Sequence, residues 1–263
     1  MRRSQTHACI AIVEAVPRNN DQGFESLTWL FTCDSRNRGI IRQGFNEAAL
    51  LWRAVKATSG TVLEIGRNRG GSTVLLTAAA GSDRVVYSID LRSREHRACK
   101  DYLSQPERSE RVHLLVADSR QRLPNLTFGF LFIDGDHSFE GVLADVLAHW
   151  NDLQSVDHKP ALAAFHDALP NLNFKWRDEN RTLNRLWIWL KNKFRRRQKP
   201  EIAPDYEHGV FCVCQGLVQL GVAAEWGVAG STFVLRKLTD LPGDFANQCS
   251  NLAPTLTCEI GLP

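Results

Sequence analysis

No stretch of 18 consecutive apolar residues occurs in the chain, which excludes a helical membrane span. It has no internal repeat and no low-complexity segment. Charge of neither sign dominates: the formal net charge is +3, without the concentrated basic footprint that nucleic-acid binding requires. Seven cysteines are an odd number, and they share no repeated spacing. A disulfide framework is therefore not expected, and reduced thiols in a cytoplasmic protein fit better. The opening MRRSQTHACIAIVEAV sets basic residues before an apolar patch, as a secretion signal would. The patch is short, contains Glu14 and lacks a small-residue cleavage pattern, so it reads as mature protein. What is present is enough for a sizeable core, with 43% apolar and 23% charged residues over a length of 263.

From residue 61, short β-branched runs alternate with helical patterns, as in a parallel sheet covered by helices. Strands are expected at TVLEI (61–65), RVVYSID (84–90), RVHLLV (111–116), FGFLFID (128–134) and ALAAF (161–165), with helices near 72–80, 93–104 and 138–153. HGVFCVC (208–214) and STFVLRKL (231–238) read as an antiparallel pair at one edge, with Cys212 and Cys214 as buried structural thiols on one strand face. GFNEAALLWRAVKA is an amphipathic helix with Ala48, Leu51, Trp52 and Val55 at helical spacing. The expected organisation is an arm or cap over 1–43, an α/β domain over 44–240 with an insertion at 168–207, and a tail over 241–263. Within the insertion, KNKFRRRQK concentrates cations at 191–199. It is either the solvated end of a helix or an anion-facing lid for a phosphorylated or lipid-linked substrate or a membrane surface.

The first strand runs into EIGRNRGGST, a strand, a glycine-rich turn and a helix. That order brings backbone amides to a ligand. The dinucleotide form GxGxxG is absent: Glu64 stands at the strand end, then Gly66, Asn68, Gly70, Gly71 and Ser72. An acid here repels a pyrophosphate but pairs with an ammonium, while the amides and Ser72 suit a carboxylate. S-adenosylmethionine carries both groups. Asp90 closes the next strand, where a carboxylate can accept ribose hydroxyls, and Asp118 with Ser119 follows the third, placed for an adenine amino group.

The strand LFID then ends in Asp134, Asp136 and His137, and the following strand ends in His166 and Asp167. Asp134, His166 and Asp167 together suit a divalent ion with open positions, Mg²⁺ or Mn²⁺. His137, with Asp136 beside it, is placed to take a proton from a substrate hydroxyl. The plainer alternative is that Asp136 and His137 cap the next helix and His166 caps a turn.

With ExGxxxGGST, DGDHSFEGVLADV and the His-Asp pair in view, residues 43–170 resemble class I S-adenosylmethionine-dependent methyltransferases. The nearest group is the small-molecule and sugar O-methyltransferases of the macrocin and rhamnosyl type, with cephalosporin-hydroxylase-like members. The resemblance implies a Rossmann-like, doubly wound, mostly parallel seven-stranded α/β sheet with an antiparallel last strand. It also implies cofactor contacts at Glu64, Gly66, Gly70, Ser72, Asp90 and Asp118, with Asp134 and Asp167 as metal ligands and His137 as base. Asn68 replaces a glycine of many such loops, and His166 stands where metal-dependent relatives often carry an acid. The expected reaction is methyl transfer to a small-molecule or glycan hydroxyl. Rival readings are a nicotinamide-dependent oxidoreductase, a non-catalytic scaffold of the same fold, and RNA methylation through the basic stretch; the last lacks an Asn-Pro-Pro-Tyr motif.

Overall fold

The computed structural model describes residues 23–31, 40–168 and 209–259. The basic stretch 191–199 lies outside them, as do the remainder of the insertion from residue 169 and most of the N-terminal arm. Seven strands among the described residues form one sheet: β1 (Val62–Ile65), β2 (Val86–Asp90), β3 (Val112–Val116), β4 (Phe130–Ile133), β5 (Leu162–Phe165), β6 (Ala223–Ala229) and β7 (Thr232–Lys237). Their spatial order is β3-β2-β1-β4-β5-β7-β6. The first five run parallel, and β7 is antiparallel to both β5 and β6, so the reversed strand lies one place inside the edge.

The helices are α1 (Phe45–Ala57), α2 (Gly71–Ala80), α3 (Arg97–Leu103), α4 (Pro106–Ser109), α5 (Phe139–His149), α6 (Gly209–Gln219) and α7 (Phe245–Glu259). They cover both faces of the sheet, because the central strands are apolar on both. Val62, Phe130, Phe132 and Leu162 pack with α1, α2 and α3 on one side. Leu63, Ile65, Leu131 and Ile133 pack with α5, α6 and α7 on the other. Fully buried strands of a parallel sheet read as such unbroken apolar runs.

The pairing expected of 208–214 is corrected. Residues 209–214 open α6, and the antiparallel partner of β7 is β6. Val210, Val213, Cys214 and Leu217 fall at helical spacing and are all buried, so the apolar run has a period of 3.6 rather than two. Cys212 and Cys214 are buried as expected, but on a helix. No described helix is long and apolar enough to cross a membrane.

The ladder continues past the strand ends and brings their tips level. Gly66 N donates to Ile89 O at 2.9 Å, Asp134 N to Ile65 O at 2.8 Å and His166 N to Ile133 O at 3.1 Å. Where α5 meets the sheet, Trp150 is fully buried and its Nε1 donates to Thr239 O at 3.0 Å. Trp150→Ala is expected to lower stability by roughly 3–5 kcal/mol in urea unfolding through the cavity it leaves. A loss below about 1 kcal/mol would mean the surrounding core collapses into the space.

Candidate cofactor pocket and acid–imidazole cluster

The strand tips open on a cavity of about 860 Å³, a size that holds a nucleoside-sized ligand. Its wall includes Gly66, Asn68, Gly71, Ser72, Asp90, Asp118 and Ser119, together with Asp134, Asp136, His137, His166 and Asp167. Of the residues singled out from sequence, Glu64 and Gly70 are not on that wall. Glu64 is wholly buried beneath the loop, where its Oε2 accepts from Thr73 Oγ1 and Ser88 Oγ, each at 2.5 Å. Burial pushes its carboxyl above the usual range against hydrogen bonds from Ser72, Ser88 and Thr73. In place of facing a ligand ammonium, it ties β1 to α2 and β2.

Two glycines make the loop possible. Gly66 has φ +92°, and a Cβ there would lie 2.1 Å from Asp134 O. At Gly71 a Cβ would lie 2.6 Å from Ile41 Cα. Asn68 has φ +47°, a left-handed conformation that asparagine tolerates best after glycine, which accounts for its place in the loop. Its backbone N donates to Asp90 Oδ2 at 2.8 Å. Gly70 caps α2 without a side-chain cap, so the first amides of that helix face the cavity at Gly71 and Ser72. Such amides suit a carboxylate.

At the tips of β4 and β5 the acids and imidazoles converge. Asp134 Oδ1 lies 3.3 Å from His137 Nε2 and 3.1 Å from His166 Nδ1, while its Oδ2 accepts from Gln43 Nε2 at 2.7 Å. His137 Nδ1 faces Asp167 Oδ2 at 3.1 Å, so both its nitrogens meet carboxylates. His166 Nε2 lies 3.7 Å from Glu47 Oε2. Glu47 Oε1 accepts from Ser231 N at 2.6 Å, and Ser231 Oγ stands 3.2 Å from Asp167 Oδ1. Burial alone would lower both imidazole pKa values, but the carboxylates prevail: His137 is pushed up to about 9 and His166 to about 11. Burial likewise opposes ionisation of Glu47 and Asp167, yet their hydrogen bonds hold each down at about 2. Asp136 is exposed and accepts from Ser138 N at 3.0 Å, and Ser138 caps α5 by accepting from Gly141 N.

This donor set does not fit the divalent ion expected at Asp134, His166 and Asp167. Each carboxylate oxygen already meets an imidazole, Gln43 or Ser231. Among the described residues no three such side chains converge with ligand geometry. Glu47, Gln43 and Ser231 carry no sequence signal for this role: Glu47 reads as the polar rim of an amphipathic helix.

Asp145 has a signal that went unread. Val142, Asp145, Val146 and His149 follow helical spacing, so an acid sits in the apolar stripe of α5. It is 2% exposed, lines the cavity and accepts from Ser119 Oγ at 2.7 Å. Burial first, then Asp136 and Asp118, push its carboxyl up to about 6 from 3.8. The folded protein therefore holds this proton more tightly than the unfolded chain. Its contribution is full below pH 3.8 and is lost as pH climbs through about 6. Asp145→Asn is expected to stabilise the protein near pH 8, by roughly 1–3 kcal/mol in urea unfolding, with the gain fading towards about pH 4. A gain that does not change with pH would rule out this carboxyl as its source.

Comparison with known proteins follows this geometry. Residues 63–173 match a family profile described as a methyltransferase domain. No curated protein sequence matches the chain. Among solved structures, the chain is similar to a protein described as a caffeoyl-CoA O-methyltransferase from Staphylococcus aureus, with 10% identity, 75% of this chain and 84% of that one covered, and a TM-score of 0.52. It is similar to the SAH-bound methyltransferase PaMTH1 of Podospora anserina at 11% identity, with 91% and 98% covered and a TM-score of 0.53. The O-methyltransferase TomG of Streptomyces achromogenes, involved in tomaymycin synthesis and solved with SAM, shares 14% identity over 91% of this chain and 100% of that one, with a TM-score of 0.50. Residues 63–173 thus match a methyltransferase-domain profile, and the chain shares the fold of these methyltransferase structures.

Proposed function

We propose that the protein transfers a methyl group from S-adenosylmethionine to a hydroxyl of a small molecule or sugar, with His137 as general base. The observation that carries this reading is the position of His137. It stands on the wall shared with Gly66, Ser72 and Asp90, with a carboxylate at each ring nitrogen. Two similar structures described as O-methyltransferases support hydroxyl as the acceptor.

When bound, the donor supplies a methyl already activated by its sulfonium. What falls to the chain is holding, alignment and one proton. The α2 amides at Gly71 and Ser72 suit the donor carboxylate, Asp90 the ribose hydroxyls, and Asp118 with Ser119 the adenine edge. At the reacting end, the neutral His137 ring would take the acceptor proton at Nε2 once the acceptor hydroxyl displaces that nitrogen's 3.3 Å contact with Asp134, while Nδ1–H stays on Asp167. Asp134 and Asp167 then stabilise the resulting imidazolium, as carboxylates beside a catalytic imidazole do. Asp136 holds Ser138 N and so sets the turn that presents His137.

Calorimetry with S-adenosylhomocysteine and with NAD should show binding of the first alone; NAD binding without it would replace this reading with a nicotinamide enzyme. His137→Ala is expected to cut methyl transfer, read as S-adenosylhomocysteine release across a panel of hydroxylated acceptors, by roughly 10²–10⁴-fold with donor affinity nearly unchanged. Because His137 titrates at about 9, wild-type turnover should rise with pH through that value and then level. The variant should lack that limb, and an unaltered limb would assign the base elsewhere. Turnover should also survive EDTA, and Mn²⁺ titration should show no binding; Mn²⁺ binding abolished by Asp134→Asn would restore the metal.

A further inference from the structure

The cavity wall carries acids and arginines together. Asp118 and Asp136, after β3 and β4, lie close enough to Asp145 of α5 to influence it electrostatically. Arg42, Arg69 and Arg94 lie elsewhere on the wall, all three exposed. They come from three separate segments, yet the backbone beneath them is one patch at the start of α2. Ile41 is packed against Gly71, and His96 N donates to Arg69 O at 2.8 Å.

The other two arginines of the cavity wall are paired, Arg67 with Glu95 at 2.5 Å and Arg120 with Asp118 at 2.6 Å. Arg42, Arg69 and Arg94 pair with no carboxylate among the described residues. The methyl donor does not account for three free guanidinium groups. Its one carboxylate is offset by its own ammonium, and its sulfonium leaves it with a net positive charge. Guanidinium groups present a planar fork matched to phosphate or carboxylate oxygens.

We infer that Arg42, Arg69 and Arg94 form an anion subsite for the acceptor, which bears a phosphate or carboxylate besides the hydroxyl that is methylated. This rests on the O-methyltransferase reading and names its substrate class. The subsite lies at the cavity mouth, and the anionic tail of the acceptor would reach it while the hydroxyl meets His137.

The test is calorimetry on the protein saturated with S-adenosylhomocysteine, titrated with inorganic pyrophosphate and, separately, with citrate. At least one probe should bind, more weakly as salt is added. Arg42→Ala, Arg69→Ala and Arg94→Ala should each weaken that probe by roughly tenfold, leaving S-adenosylhomocysteine affinity within about threefold. Arg→Lys at the same positions should recover part of the binding, since charge is kept and the fork is lost. Binding of pyrophosphate alone assigns a phosphate tail, and binding of citrate alone a carboxylate. If neither probe binds, or if the variants lose S-adenosylhomocysteine in parallel with the probe, the subsite is refuted. Should wild-type protein fail to bind S-adenosylhomocysteine at all, the methyltransferase reading fails, while the same titrations on the unloaded protein still decide whether the arginines hold an anion.

Discussion

Two imidazoles and three carboxylates share the tips of β4 and β5, and none of them could be there alone. Asp134 sits 3.1 Å from His166 and 3.3 Å from His137, and Glu47 and Asp167 close the outer sides of the same rings. Removing one member of a buried ionic group leaves the others uncompensated at a cost of roughly 3–5 kcal/mol. The cluster therefore acts as a constraint on everything attached to it: α1 through Glu47, the β6–β7 turn through Ser231, and the two strand tips themselves. Opposite pKa shifts within the group follow from this arrangement, since each carboxylate favours a proton on its neighbouring ring and each ring favours ionised acids.

Glu64 plays a comparable part under the glycine loop. A carboxyl fully removed from water needs donors, and Thr73 and Ser88 provide them from α2 and β2. The loop is thereby held against the sheet from below, while left-handed Gly66 keeps a side chain out of the close backbone approach between β1 and the end of β4. Arg67 strengthens the same junction by bonding Ser88 O at 2.5 Å and Glu95. The cavity is thus rigid along its β1–β2 side by hydrogen bonding and along its β4–β5 side by charge.

These two supports divide the labour of the site. The glycine loop and α2 offer amides, suited to a carboxylate and needing no side-chain chemistry. The cluster offers an imidazole of raised basicity on the same wall, close to where a strand-tip ligand must lie. His166 stands between Asp134 and Glu47, whose carboxylates favour its protonated form.

Much of this was legible in the chain itself. Short apolar runs ending in Gly66, Asp90, Asp118, Asp134 and His166 announced the strand tips, because a fully buried parallel strand must be apolar and its first solvated residue need not be. The same reasoning failed at 208–214, where a short apolar run fits either period and only packing of Gly209 against the start of α5 selects the helix. Which side of the loop Glu64 faces, whether Asp134 and Asp167 meet an ion or imidazoles, and that Gln43, Glu47 and Ser231 join them were decided by tertiary structure alone. Alternation and spacing govern neighbours along one strand or helix, whereas these contacts unite residues up to 184 positions apart, and only the folded sheet brings them within bonding distance.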